Sequence, residues 1–143
     1  MNIYEYRAKK EAVYNEVIQM EKEVGKSEKH SIKTSIGFID IYIYKPENYH
    51  GEQLPVFLNL HGGGFVLGFC EQDGKYCQYL SNKAKCAVIN IDYCLAPENK
   101  FPDAINSTYE VIKYLKNNGS SYSLNTEKMV IGGHSAGGNL STA

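Results

Sequence analysis

The sequence predicts an α/β chain: a helix and a β-hairpin, then a parallel β-α-β-α-β array. Three observations carry this. Residues 56–60 (VFLNL), 86–92 (CAVINID) and 128–132 (KMVIG) are short, nearly continuous apolar runs, as expected of strands buried on both faces. Two stretches between them have helical periodicity. Strand, helix, strand, helix, strand at this spacing implies a parallel sheet with right-handed crossovers.

The elements follow in order. Over residues 5–24, Val13, Val17, Ile18, Glu21 and Val24 include the i, i+4 spacing of one helix stripe, and Gly25 is the stop. In residues 31–36, Ile32, Thr34 and Ile36 alternate onto one side, and in residues 38–44 Ile39, Ile41 and Ile43 do the same. The two strands read as a hairpin joined around Gly37 and closed by Pro46, with residues 47–53 as a loop. After the run at 56–60, a helix spans about 73–85. A second amphipathic helix, 102–117, uses Ala104, Ile105, Tyr109, Ile112 and Leu115. The division is therefore a helical segment over residues 1–28 and an α/β unit over 29–143.

Composition narrows the function classes. Hydrophobic residues are 43% and charged residues 22% of 143, an ordinary globular balance. Lys plus Arg number 15 against 16 Asp plus Glu, which leaves no basic footprint for nucleic acid. No apolar window is long enough for a membrane helix, and the N-terminus lacks the apolar core of a signal peptide. Cys70, Cys77, Cys86 and Cys94 include no C-x-x-C pair and no zinc-ligand spacing. The expectation is reduced thiols packed as small apolar side chains, a cytoplasmic location and no metal or organic cofactor. Oligomeric state is not legible.

Two glycine-bearing motifs each follow a predicted buried strand. In His61-Gly62-Gly63-Gly64-Phe65 the missing side chains let backbone N–H groups approach a ligand closely. The spacing is neither that of a phosphate-binding loop nor G-x-G-x-x-G. In Gly133-His134-Ser135-Ala136-Gly137, small residues flank a serine between a strand and a stretch able to start a helix. That context presents a hydroxyl on a sharp turn at the sheet edge. His30 and His50 sit near the hairpin and its loop and read as solvated.

With Asp92-Tyr93-Cys94-Leu95-Ala96-Pro97-Glu98 and Phe101-Pro102 lying between them, these motifs resemble the hormone-sensitive-lipase-like esterase branch of the α/β-hydrolase superfamily. The resemblance runs from about residue 37 to residue 143. It implies a partial α/β-hydrolase fold ending at the nucleophile turn, with residues 1–28 cap-like and 29–143 the N-terminal half of the catalytic domain. It also implies Ser135 as nucleophile, backbone N–H groups of Gly63, Gly64 and Ala136 as oxyanion hole, and His61, Gly62, Gly133 and Gly137 as motif supports. The implied partner is a small-molecule ester. Two positions depart from the pattern. His134 stands where this branch more often has Asp, and reads as packing. Cys94 stands in the usual Arg position, which weakens a local ion pair.

The implied triad order is Ser, then an acid, then His, yet residues 136–143 hold neither. Serine without a base is a weak nucleophile. The expectation is the N-terminal half of an esterase, with little activity in residues 1–143 alone and poor solubility from an uncovered outer strand edge. A ligand-binding protein on the same scaffold, or a shortened product without activity, are the other two readings.

Overall fold

In the computed structural model, which describes residues 1–20, 27–68 and 70–143, the three apolar runs become parallel strands lying side by side. The elements are α1 (Ile3–Met20), β1 (Ser27–Thr34), β2 (Gly37–Tyr44), β3 (Leu54–Leu60), α2 (Gly74–Ala84), β4 (Ala87–Asp92), α3 (Asp103–Asn118), β5 (Leu124–Gly133) and α4 (Ala136–Leu140). They form one mixed sheet ordered β1-β2-β4-β3-β5. β3 pairs in parallel with both β4 and β5, while the β1–β2 hairpin joins through antiparallel pairing of β2 with β4. The fold is the partial α/β arrangement that the spacing predicts.

The hairpin register pairs Thr34 with Gly37, so its turn is Ser35-Ile36 and Gly37 opens β2. Ile32, Thr34, Ile39, Ile41 and Ile43 are buried, as the alternation requires. On one face of the sheet they meet Leu58, Leu60, Ile89 and Ile91, together with Val111 and Leu115 of α3 and Leu140 of α4. On the other, Val88 packs with Cys77 of α2 and with Cys86. Each such side chain contributes about 1.5–3 kcal/mol on leaving water. β4 is buried on both faces as predicted, whereas β3 is buried on one face only, its Phe57 and Asn59 being half-buried on the other.

Several expectations are corrected. The third apolar run is not a buried strand. β5 lies at the sheet edge, with Val130 62% exposed and Met129 and Ile131 only half-buried. Its pairing with β3 also jumps, from Pro55 opposite Asn125 to Val56 opposite Met129, which bulges residues 126–128 out of register. Tyr109 is exposed, because α3 buries Ser107, Thr108, Val111 and Leu115 instead. The α1 stripe fails at Val13, which is 57% exposed; the half-buried side is Ile3, Tyr6, Arg7 and Glu11. The helix begins at Ile3 because Asn2 and Glu5 form a reciprocal cap, Glu5 N–H donating to Asn2 Oδ1 at 2.9 Å and Asn2 N–H to Glu5 Oε2 at 3.2 Å. The side chains of Val17 and Ile18, the rest of the stripe at Glu21 and Val24, and the Gly25 stop lie outside the described residues.

Candidate active site

Two turns at the C-terminal ends of β3 and β5 form the site. Neighbouring parallel strands end together, so the register that pairs Leu60 with Gly133 sets residues 61–68 beside residues 133–138. At the second turn Ser135 has φ 52° and ψ −120°. A non-glycine residue there is strained, and such strain persists only where its surroundings impose it. Here they are backbone. A Cβ on Gly137 would lie 1.9 Å from the Leu60 carbonyl oxygen, and one on Gly133 would lie 2.2 Å from the same atom. Two glycines thus let α4 seat directly on the end of β3 and leave Ser135 exposed on its apex. Asn139 N–H donates to Ser135 O at 3.0 Å, the first turn of α4. Ala136, at its N-terminus, has an N–H with no intrahelical acceptor.

The first turn folds on itself. Gly63 O accepts from Val66 N–H at 3.2 Å and Leu67 N–H at 2.9 Å. Gly63 and Gly64 have φ of 133° and 63°. Among the described residues the N–H groups of Gly63 and Gly64 meet no acceptor. His61 is fully buried beneath this turn. Its ring stacks on Tyr93 at 4.3 Å and its Nδ1–H donates to Gly62 O at 2.8 Å, while Tyr93 Oη–H donates to His61 O at 2.7 Å. Burial pushes the His61 pKa below its ordinary value, keeping the ring neutral; Nε2 lies 3.8 Å from Asp92 Oδ1.

His134 is corrected. Its side chain is 60% exposed, not packed in. Nε2 accepts from Gly62 N–H at 3.3 Å, which places the proton on Nδ1, 3.7 Å from Asp73 Oδ2. Asp73, buried at the start of α2, accepts a hydrogen bond from Asn59 Nδ2 at 3.0 Å. Gly62, Gly63, Leu67, Asp73 and His134 line an open cavity of about 300 Å³. The ring that reads as inert from sequence therefore joins the two turns. Asp73 has no motif around it and is not legible in advance.

Other sequence candidates lie elsewhere. His50 is exposed. His30 is not simply solvated: it is half-buried, edge-on to Tyr122 at 4.8 Å. Cys77 and Cys86 are buried, free thiols, with Cys77 pushed up to about 12 by burial; the Cys70 side chain is outside the described residues. Cys94 is half-buried beside Ser107 Oγ at 3.5 Å, and burial raises its pKa as well. Nearby, Glu98 pairs with Arg7 of α1 at 2.6 Å. Among the described residues no imidazole or carboxylate hydrogen-bonds Ser135 Oγ. None of their His, Cys, Asp and Glu groups is arranged to hold a metal, and no helix among them is long and apolar enough to cross a membrane.

A family profile described as the alpha/beta hydrolase fold matches residues 57–143, the span that holds both turns. The chain belongs to the α/β-hydrolase family. Relatives named acetyl esterase and arylesterase support the hormone-sensitive-lipase-like kind within it. An AB hydrolase superfamily protein of Schizosaccharomyces pombe is 42% identical over 86 residues, 60% of this chain and 25% of that protein. An arylesterase of Saccharolobus solfataricus is 35% identical over 120 residues, 84% of this chain and 39% of the relative. Among solved structures, a Pyrobaculum calidifontis esterase superposes with a TM-score of 0.88 at 34% identity, over 99% of this chain and 46% of its own. This α/β-hydrolase chain thus spans a quarter to two fifths of those curated relatives and under half of the solved esterase.

Proposed function

We propose that the chain carries the nucleophile-bearing part of a serine carboxylic-ester hydrolase acting on small or medium acyl esters. In this reading residues 1–28 are a cap-like segment and residues 29–143 the N-terminal half of the catalytic domain. Ser135 Oγ attacks the ester carbonyl and the alcohol leaves, giving an acyl-enzyme that water then releases. Backbone N–H groups of Gly63, Gly64 and Ala136 face the oxygen as its charge grows, one such donor being worth about 3–4 kcal/mol. His61, Gly62, Gly133 and Gly137 hold the two turns in place.

The observation that carries this reading is the strained Ser135 at the β5–α4 junction, set beside a loop whose glycine N–H groups meet no acceptor among the described residues. A cavity of about 260 Å³ between Phe65 at the loop end and Asn139 and Leu140 of α4, walled by Ile105 and Phe101, has the size for a short acyl chain. Deprotonating Ser135 needs an acid–imidazole pair that residues 136–143 do not supply, so residues 1–143 alone are expected to show little or no turnover.

The test is hydrolysis of p-nitrophenyl acetate and butyrate by the reading frame holding this chain together with a later acidic residue and histidine. Ser135→Ala is expected to cut kcat by a factor of about 10⁴ or more. Full turnover by that variant would sink the assignment. Strong Ser135-dependent hydrolysis by residues 1–143 alone would overturn the expectation of inactivity. A ligand-binding role on the same scaffold is the other reading. A small acid or amide that raises the melting temperature without being turned over would mark that role.

A further inference from the structure

Arg7 is the single arginine of the chain, and its guanidinium reaches three places far away in sequence. Nε–H donates to Val66 O at 2.9 Å, in the glycine turn. Nη2 donates to Ala96 O at 2.7 Å and to Glu98 Oε2 at 3.1 Å, and Nη1 to Glu98 Oε1 at 2.6 Å. The two segments it bridges are themselves joined, since Ala96 N–H donates to Phe65 O at 2.8 Å. An exposed ion pair is worth little, but this side chain is only 16% exposed and spends two bonds on carbonyls that meet no other donor among the described residues. The rigid guanidinium fork offers five donors in fixed directions, of which four are used. The ammonium of lysine is a single point and cannot satisfy Val66 O, Ala96 O and a bidentate carboxylate together.

We propose that Arg7 is a positioning residue for the glycine loop, a latch through which α1 fixes the turn that presents the Gly63 and Gly64 N–H groups. Val66 sits in the turn closed on Gly63 O. Holding its carbonyl outward toward α1 keeps that turn shut and the two glycine N–H groups in place. The seating of α1 and the order of the loop are then one equilibrium. Its meaning for catalysis rests on the esterase reading; the latch itself does not.

The experiment is peptide-resolved amide hydrogen exchange on the 143-residue chain, comparing wild type with R7A, R7K and E98Q. It needs no turnover, so failure of the latch is distinguishable from failure of the esterase reading. In R7A, exchange in residues 62–68 and 94–98 is expected to rise about tenfold or more, since charged-donor bonds are lost, with β4 changed less than about twofold. R7K is expected to recover only part of the protection, because a point charge replaces a fork. E98Q keeps the carbonyl bonds and is expected to fall between R7A and wild type; it also serves if R7A fails to fold. Unchanged exchange at 62–68 in R7A, equal increases there and in β4, or full protection in R7K would each overturn the proposal.

Discussion

Both glycine turns leave the C-terminal end of a parallel strand, β3 into residues 61–68 and β5 into residues 133–138. In the first, glycine carries most of the unusual backbone, with Gly63, Gly64 and Gly68 at positive φ and Phe65 joining them at φ 65°. In the second, the positive φ falls on Ser135, and the flanking glycines serve a different end, which is to let the Leu60 carbonyl oxygen occupy the place of two side chains. One turn uses glycine for conformation as well as approach, the other for approach alone. The difference teaches where strain is kept: in the loop three glycines take up most of it and leave Phe65, at φ 65°, to bear the rest, whereas in the second turn the candidate nucleophile bears it alone.

Alanine substitutions sharpen this contrast. Gly137→Ala is expected to cost the most, about 3 kcal/mol, because its Cβ would strike the backbone of β3, a strand paired on both sides. Gly63→Ala meets Leu67 O at 1.9 Å, but that carbonyl belongs to a surface turn able to reopen, so about 2 kcal/mol is expected. Gly64→Ala meets open space and bears only its positive φ, about 1 kcal/mol. Denaturant unfolding of the three variants checks the order. A Gly64→Ala cost equal to that of Gly137→Ala would break the distinction between conformation and approach.

The smallest effect is the pH response of the latch. The Arg7 hydrogen bond, with help from the Glu98 backbone and the Arg7 charge, holds the Glu98 carboxyl below its ordinary value of 4.5. A carboxyl depressed on folding adds stability that is present above its unfolded value and lost as pH falls through the folded one. The Arg7 Nε–H resonance is therefore expected to stay fixed above pH 4.5 and to shift below it, with Glu98→Gln abolishing the shift. The carboxylate is exposed, so the change in melting temperature is expected to be small. A shift centred well above pH 4.5 would contradict the assignment.

Local chemistry made much of this molecule readable. Continuous apolar runs identify β3 and β4, alternating isoleucines identify the hairpin, and the spelling of the two turns identifies the family. What escaped depends on pairing between distant segments. Residues 128–132 look as apolar as residues 56–60, and only the strand order places them on an edge. Val13 fits a helical stripe, but the side that α1 turns inward is fixed by Arg7, whose partners lie 59 to 91 residues away. His134 reads as inert because its two neighbours, Gly62 and Asp73, are more than 60 positions upstream.

The supports of the glycine turn come from α1 (Arg7), from the end of β4 (Tyr93) and from the turn after β5 (His134). Three props so widely separated cannot arrive together early in folding, since each closes a long loop of chain before it returns any contact energy. The turn is therefore expected to be among the last parts to order, and during synthesis to stay incomplete until residue 134 has left the ribosome; low φ-values across residues 62–66 would record that lateness.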